Sequence, residues 1–378
     1  MALTIPAALT VMAISFRTAA DTAAGTNSGA YIALCKTLQE ASGTPKQPEK
    51  VPKWVETFEK VLEANMSANA DEWRRMFLRE SNAKQAWEPE GKHKALPKEW
   101  AQRWDTWADS AVRISKNGAS EKKAQQSNFD KLSPQQRLTA HAKIAHILDK
   151  AEAVRTRLKN LQEKVNAATS EKLQPEMTKV VYGSGPTKID FTESKTVTSG
   201  RAVVDNCKQG GKADNYEALG DAFLCVCVNV RASPPAGDKN ICSDQSTDFV
   251  SKRFPLKSAN DVKTVWIELK ENCKLQATFS TTPAGVRQAM AAIQAYVKIF
   301  KGNAYLGAPE GTGACDQADT NDVCIKYPEY LGSTKPGFHN VGWISTLLAI
   351  ADKLENAEKA AEQMHSLQEL LSNLAASA

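Results

Sequence analysis

The residues best suited to chemistry in this chain are its eight cysteines: Cys35, Cys207, Cys225, Cys227, Cys242, Cys273, Cys315 and Cys324. A thiol can ligate a metal, act as a nucleophile or close a disulfide, and spacing separates these roles. Structural zinc sites pair cysteines with two to four residues between them and add further Cys or His ligands. Here there is no Cys-x-x-Cys, the Cys225-Val226-Cys227 step is too tight for a zinc knuckle, and His339 alone lies near the cluster. An even count in a Gly-, Asp- and Asn-rich stretch reads instead as a disulfide framework made in an oxidising compartment. All eight are therefore expected in disulfides, with no free thiol and no metal.

No other motif rises to a catalytic site. The run Gly183-Ser184-Gly185-Pro186-Thr187-Lys188 lacks the Gly-x-x-x-x-Gly-Lys-Ser/Thr register of a phosphate loop, and no Gly-x-Ser-x-Gly elbow occurs. His141 and His146 are five apart on a helical stretch, so they do not share a face as metal ligands would. His93, His339 and His365 are isolated, and the carboxylates alternate with lysines as on solvated helix faces. No enzymatic activity, catalytic residue or cofactor is expected. One sequon, Asn65-Met66-Ser67, marks Asn65 as a glycan acceptor, which requires it to be exposed. Trp100, Trp104 and Trp107 fall at i, i+4 and i+7; such a stripe can stack a ligand, but it reads more simply as a helix face locked into a core.

The elements that must carry these residues are long helices. From Pro134 to about 168, Ile144, Ile147, Ala151, Val154, Leu158, Leu161, Val165 and Ala168 alternate steps of three and four, the spacing of a coiled-coil seam. Ser133 is placed to cap this helix, with Pro134 at its first position. Residues 343–374 repeat the pattern through Trp343, Leu347, Ile350, Leu354, Ala357, Ala361 and Met364, then Leu367, Leu371 and Leu374 after a one-residue slip. Between them an insert of about 180–340 holds seven of the eight cysteines. The expected fold is mainly α: an elongated antiparallel helical bundle or coiled coil, with a disulfide-stapled, loop-rich head containing short strands.

Shorter elements follow from composition. Asn27 and Ser28 can cap a helix bearing Tyr31, Leu34, Cys35 and Leu38, and a second runs from about Lys53 toward Asn65. Residues 180–200 read as loops and short strands, and Phe223–Val230, apolar and β-branched, as a strand. Val262–Leu269 is a short helix or strand. Thr282 caps a helix expected from Pro283 to Phe300, and Gly302–Gly337 reads as a loop. Chain proximity pairs Cys315 with Cys324, and a Cys35–Cys207 tie would staple the first helix to the insert. Cys225 and Cys227 then take Cys242 and Cys273, in either order.

Composition bounds the partners. With 48 Lys+Arg against 43 Asp+Glu, the net charge of +5 is diluted over 378 residues, and no block of like charges appears. A nucleic-acid partner is not expected. Residues 1–24, apolar and then rich in small residues, read as a secretory signal peptide.

Leu34-Cys35, Asn65-Met66-Ser67, Trp73, Met76-Phe77 and the Trp100/Trp104/Trp107 helix occur in a familiar order. With Leu224-Cys225-Val226-Cys227, Trp266 before Cys273, and Trp343 opening the last helix, residues 25–378 resemble the class B N-terminal domain of the variant surface glycoproteins of African trypanosomes. That resemblance implies a secreted, disulfide-bonded coat glycoprotein, held on the outer face of the plasma membrane by a glycosylphosphatidylinositol anchor. It implies homodimers or trimers, exposed loops met by host antibodies, and a role in shielding and antigenic variation. The family's C-terminal anchor domain is not seen in this sequence, so attachment is expected through a segment outside it. The alternative is a parasite surface receptor on the same scaffold, binding a host serum macromolecule.

Overall fold

A computed structural model describes residues 25–80, 83–116, 129, 131–183, 207–208, 218–228, 241–243, 259–315, 322–332, 337–338 and 340–378. The expected signal peptide, most of the Gly183–Lys188 run, and His339 lie outside the described residues. The chain forms two units: Met1–Lys46 with Ser170–Asp352, and Gln47–Thr169 with Lys353–Ala378. All eight cysteines belong to the first.

The cysteine-free unit is built on helices. Helix α2 spans Val55–Ala68, α3 Asp71–Arg75, α4 Ala101–Lys116 and α5 Pro134–Ala167. As expected, Ser133 caps α5: its Oγ accepts from Gln136 N at 3.3 Å, and Gln136 Oε1 accepts from Ser133 N at 2.9 Å. This reciprocal box satisfies two amide groups that a bare helix start leaves unpaired. At 1.5 Å per residue α5 is about 51 Å long. Its buried stripe is Ile144, Leu148, Ala151, Val154, Leu158, Leu161, Val165 and Ala168. Leu148 thus takes the interior place that the heptad reading gave Ile147, which is only partly buried.

The nearest neighbour of α5 is α2, which runs antiparallel to it. Gln47 Nε2 donates to Ala168 O at 2.8 Å, and the Arg155 guanidinium lies 4.9 Å from the centre of the Phe58 ring. The last helix, α10 (Gly342–Ser377), brings its C-terminal half into the same unit. His365 Nε2 lies 3.0 Å from Lys50 O, and Gln368 Nε2 donates to Thr57 Oγ1 at 2.9 Å, so this half runs with α2 and against α5. Trp54, Phe58, Val61, Leu158, Leu161, Met364 and Leu371 share one apolar cluster. Full burial of each such side chain contributes about 1.5–3 kcal/mol. The two long helices do share a core, but α2 is a third member that their seams did not reveal. Arg113 on α4 ties that helix to α2 through Glu59 at 3.2 Å and Glu63 at 3.1 Å.

In the cysteine-bearing unit, α1 (Ser28–Ser42) packs against three helices: α6 (Ser170–Tyr182), α7 (Leu219–Cys227) and α9 (Pro283–Ala295). The remaining helix, α8, spans Ala259–Asn272 and packs on α7. Strand β1 (Thr44–Pro45) pairs in parallel with β2 (Ser280–Thr281), and β3 (Val297–Phe300), β4 (Asn303–Ala308) and β5 (Val323–Tyr327) form an antiparallel sheet in that order. Gly307 sits at φ +104°, where a Cβ would come within 2.6 Å of Val323 O, so only glycine lets β4 and β5 approach there.

Four local expectations are corrected. The strand expected over Phe223–Val230 is not found among the described residues: residues 219–227 are helical, and every one is buried. A short apolar run buried on all sides has no periodicity to separate helix from strand. Residues 180–182 end helix α6 rather than beginning a loop; Pro175 inside that helix removes one amide donor. The helix capped by Thr282 stops at Ala295, and Val297–Phe300 turns into β3. Finally, Gly302–Gly337 is not only loop, since it supplies β4 and β5.

Candidate functional site

The cysteines are where sequence and geometry meet. Four disulfides form, Cys35–Cys273, Cys207–Cys225, Cys227–Cys242 and Cys315–Cys324, with Cα–Cα distances of 5.2, 5.4, 5.3 and 5.1 Å, within the range that unstrained bridges adopt. No cysteine is free. The local Cys315–Cys324 tie is as expected. Cys227–Cys242 belongs to one of the two orders left open, but its companion Cys225–Cys273 does not form, so neither order holds as a whole. The expected Cys35–Cys207 tie is wrong. Cys207 instead bonds Cys225, 18 residues on, and Cys35 on α1 reaches Cys273 at the end of α8. Chain order could not reveal this, because α8 returns to α1 only in three dimensions: the Tyr31 hydroxyl donates to Leu269 O at 2.8 Å. Cys225 and Cys227 are two helical residues apart, about 200° around the axis, so they face different partners.

Cys315, Asp322 and Cys324 place three ligand-type atoms within 4.8 Å of one another. Both sulfurs are committed to the bridge, which leaves one carboxylate. Asp322 accepts from Glu310 N at 3.1 Å and so fixes the loop that the disulfide closes.

The tryptophan stripe is core rather than platform. Trp104 is fully buried, donates from Nε1 to Gln85 O at 2.8 Å, and lies 4.6 Å from the Phe77 ring. Trp100 and Trp107 are partly buried around it. His93, buried in the same cluster, stacks on Trp87 at 5.1 Å, and its Nδ1 accepts from Glu88 N at 2.8 Å. It is a structural histidine. His141, His146 and His365 lie on helix surfaces, and nothing draws them together.

Asn65 is not where the sequon reading put it. It lies within α2 with 7% of its surface exposed, and Met66 and Ser67 are buried as well. Its carbonyl accepts from Asn69 Nδ2 at 2.7 Å, which closes the helix end over the sequon. The correction has a physical reason: Asn65 continues the face of Phe58, Val61 and Leu62, so helix periodicity turns it inward.

Sequence reasoning also missed Glu40. The residue is largely buried, its Oε2 accepts from Thr282 N at 3.4 Å at the start of α9, and a Cβ on Gly285 would stand 2.0 Å from its Oε1. Burial pushes its pKa above the ordinary carboxyl range, against the lowering effect of the Thr282 amide. Glu40 borders a cleft of about 440 Å³ whose wall includes Tyr31, Cys35, Lys36, Gln39 and Cys273. No local pattern around Glu40 marks it, because its partners are some 240 residues away.

Comparison with known proteins decides the family. A model described as the trypanosomal VSG domain matches residues 9–373. The chain belongs to the trypanosomal VSG domain family. A relative, variant surface glycoprotein WRATAT A of Trypanosoma brucei rhodesiense, is 22% identical over 366 residues, covering 93% of this chain and 73% of the relative. The resemblance drawn from Cys35, the tryptophans and Cys225/Cys227 is thereby borne out. VSG-family membership makes this a surface coat protein, with a mainly helical, four-disulfide domain. Among the described residues no helix is long and apolar enough to cross a membrane.

Proposed function

We propose that this protein is a glycosylphosphatidylinositol-anchored coat glycoprotein that shields the parasite surface and takes part in antigenic variation and evasion of host antibodies. The observation that carries the reading is the family match across residues 9–373. Physical features support it. Two helices of about 50 Å give length and stiffness for close side-by-side packing. The four disulfides reinforce the cysteine-bearing unit, as suits an extracellular protein. Its role is steric, so it has no catalytic activity, and it self-associates as a homodimer or trimer.

The test is staining of live, unpermeabilised cells with antibody raised against the folded domain, paired with light scattering of the purified domain. The proposal expects dense, uniform surface staining and a homo-oligomer. Staining only after permeabilisation would overturn it. Specific retention of a serum protein by the domain would favour the receptor alternative instead.

A further inference from the structure

The four disulfides differ in how they meet solvent. Cys207, Cys225, Cys227, Cys242, Cys315 and Cys324 are each 2% exposed or less. Cys35 and Cys273 are both only partly buried, and both line the cleft of about 440 Å³. Such a volume holds a molecule of several heavy atoms. The exposed Lys36 ammonium, next to Cys35, lines the same cleft, and a cation favours the thiolate that attacks or departs in exchange. This bridge also spans the greatest chain separation, 238 residues.

We propose that Cys35–Cys273 is a thiol-exchange site, the disulfide of the four that a small dithiol opens while the protein stays folded. The dithiol's thiolate attacks one Sγ, forming a mixed disulfide as the Sγ–Sγ bond breaks, and the other Sγ leaves as a thiolate that takes up a proton. The dithiol's second thiolate, having given up its own proton, then attacks its partner sulfur in the mixed disulfide and expels the remaining protein sulfur, which is protonated in turn. Two electrons pass to the protein, leaving two cysteine thiols and a cyclic oxidised dithiol. The chain consequence is local. The end of α8 loses its covalent tie to α1, while Cys207–Cys225 and Cys227–Cys242 still hold α7.

The experiment treats the folded domain with increasing dithiothreitol in native buffer, quenches with iodoacetamide, and maps the alkylated peptides by mass spectrometry. Circular dichroism is read at each point. Cys35 and Cys273 are expected to be alkylated at least tenfold faster than the other six, with helix content unchanged and hydrogen exchange raised around 269–276. Labelling of any other pair first would overturn the proposal. So would all eight cysteines rising together as helix content falls, because exchange would then follow global unfolding.

Discussion

Deleting the long-range bridge should destabilise the cysteine-bearing unit more than deleting the most local one, and the structure sets the size of the gap. Replace Cys35 and Cys273 by Ala in one variant, and Cys315 and Cys324 by Ala in another. The bridges close 238 and 9 residues respectively. In the chain-entropy model the stabilisation grows as 1.5RT ln n, so the long loop is favoured by about 3 kcal/mol, roughly 5.5 against 2.6. The two smaller bridges nested inside the long loop shorten it only slightly. Packing works the other way: Cys315 and Cys324 are fully buried and leave a cavity, whereas Cys35 and Cys273 border a cleft. The net gap should still exceed about 1 kcal/mol in favour of the long bridge. Guanidinium unfolding followed by circular dichroism, with all other disulfides intact, measures it. If the Cys315/Cys324 variant proved the less stable, loop entropy would not govern these bridges and the reasoning would fail.

Other predictions rest on single residues. Leu158→Ala, at a fully buried position in the α2–α5–α10 core, should cost about 3–5 kcal/mol with no change in disulfide content; a loss below about 1 kcal/mol in chemical denaturation would show that the helices do not pack as described. Glu40 has a folded-state pKa raised by burial, so the folded protein binds this proton more tightly than the unfolded chain does. Stability should then fall as pH rises from the ordinary carboxyl value through the raised one, and Glu40→Gln should flatten that slope; a steeper slope in the variant would contradict it. Asn65, enclosed in α2, should carry no glycan in the folded protein, and the mass of its tryptic peptide, unmodified or glycosylated, decides the matter.

Elements whose burial is periodic were legible in the sequence. Helix α5 repeats every three and four residues and starts at a Ser-Pro cap, so its bounds followed directly, and its interior face did too except that Leu148 replaces Ile147. Helix α7 was not legible, because a run buried on every side carries no phase. The sheet was missed for a related reason: β4 and β5 lie among Gly, Asp and Pro, and their pairing is set by contacts between strands rather than by either one's composition. The cysteines announced disulfides by number and setting. Their partners depended on how α8 comes back to α1, which no local signal encodes. Asn65 is the opposite case, a motif whose expected exposure the helix phase already contradicted.

The most direct test of the central claim is release of the native protein from live cells by a phosphatidylinositol-specific phospholipase. A coat glycoprotein held by a glycosylphosphatidylinositol anchor should pass into the medium as a soluble homo-oligomer within minutes, with its surface staining lost in proportion. Staining that persists through complete cleavage of a control anchored protein would contradict the account.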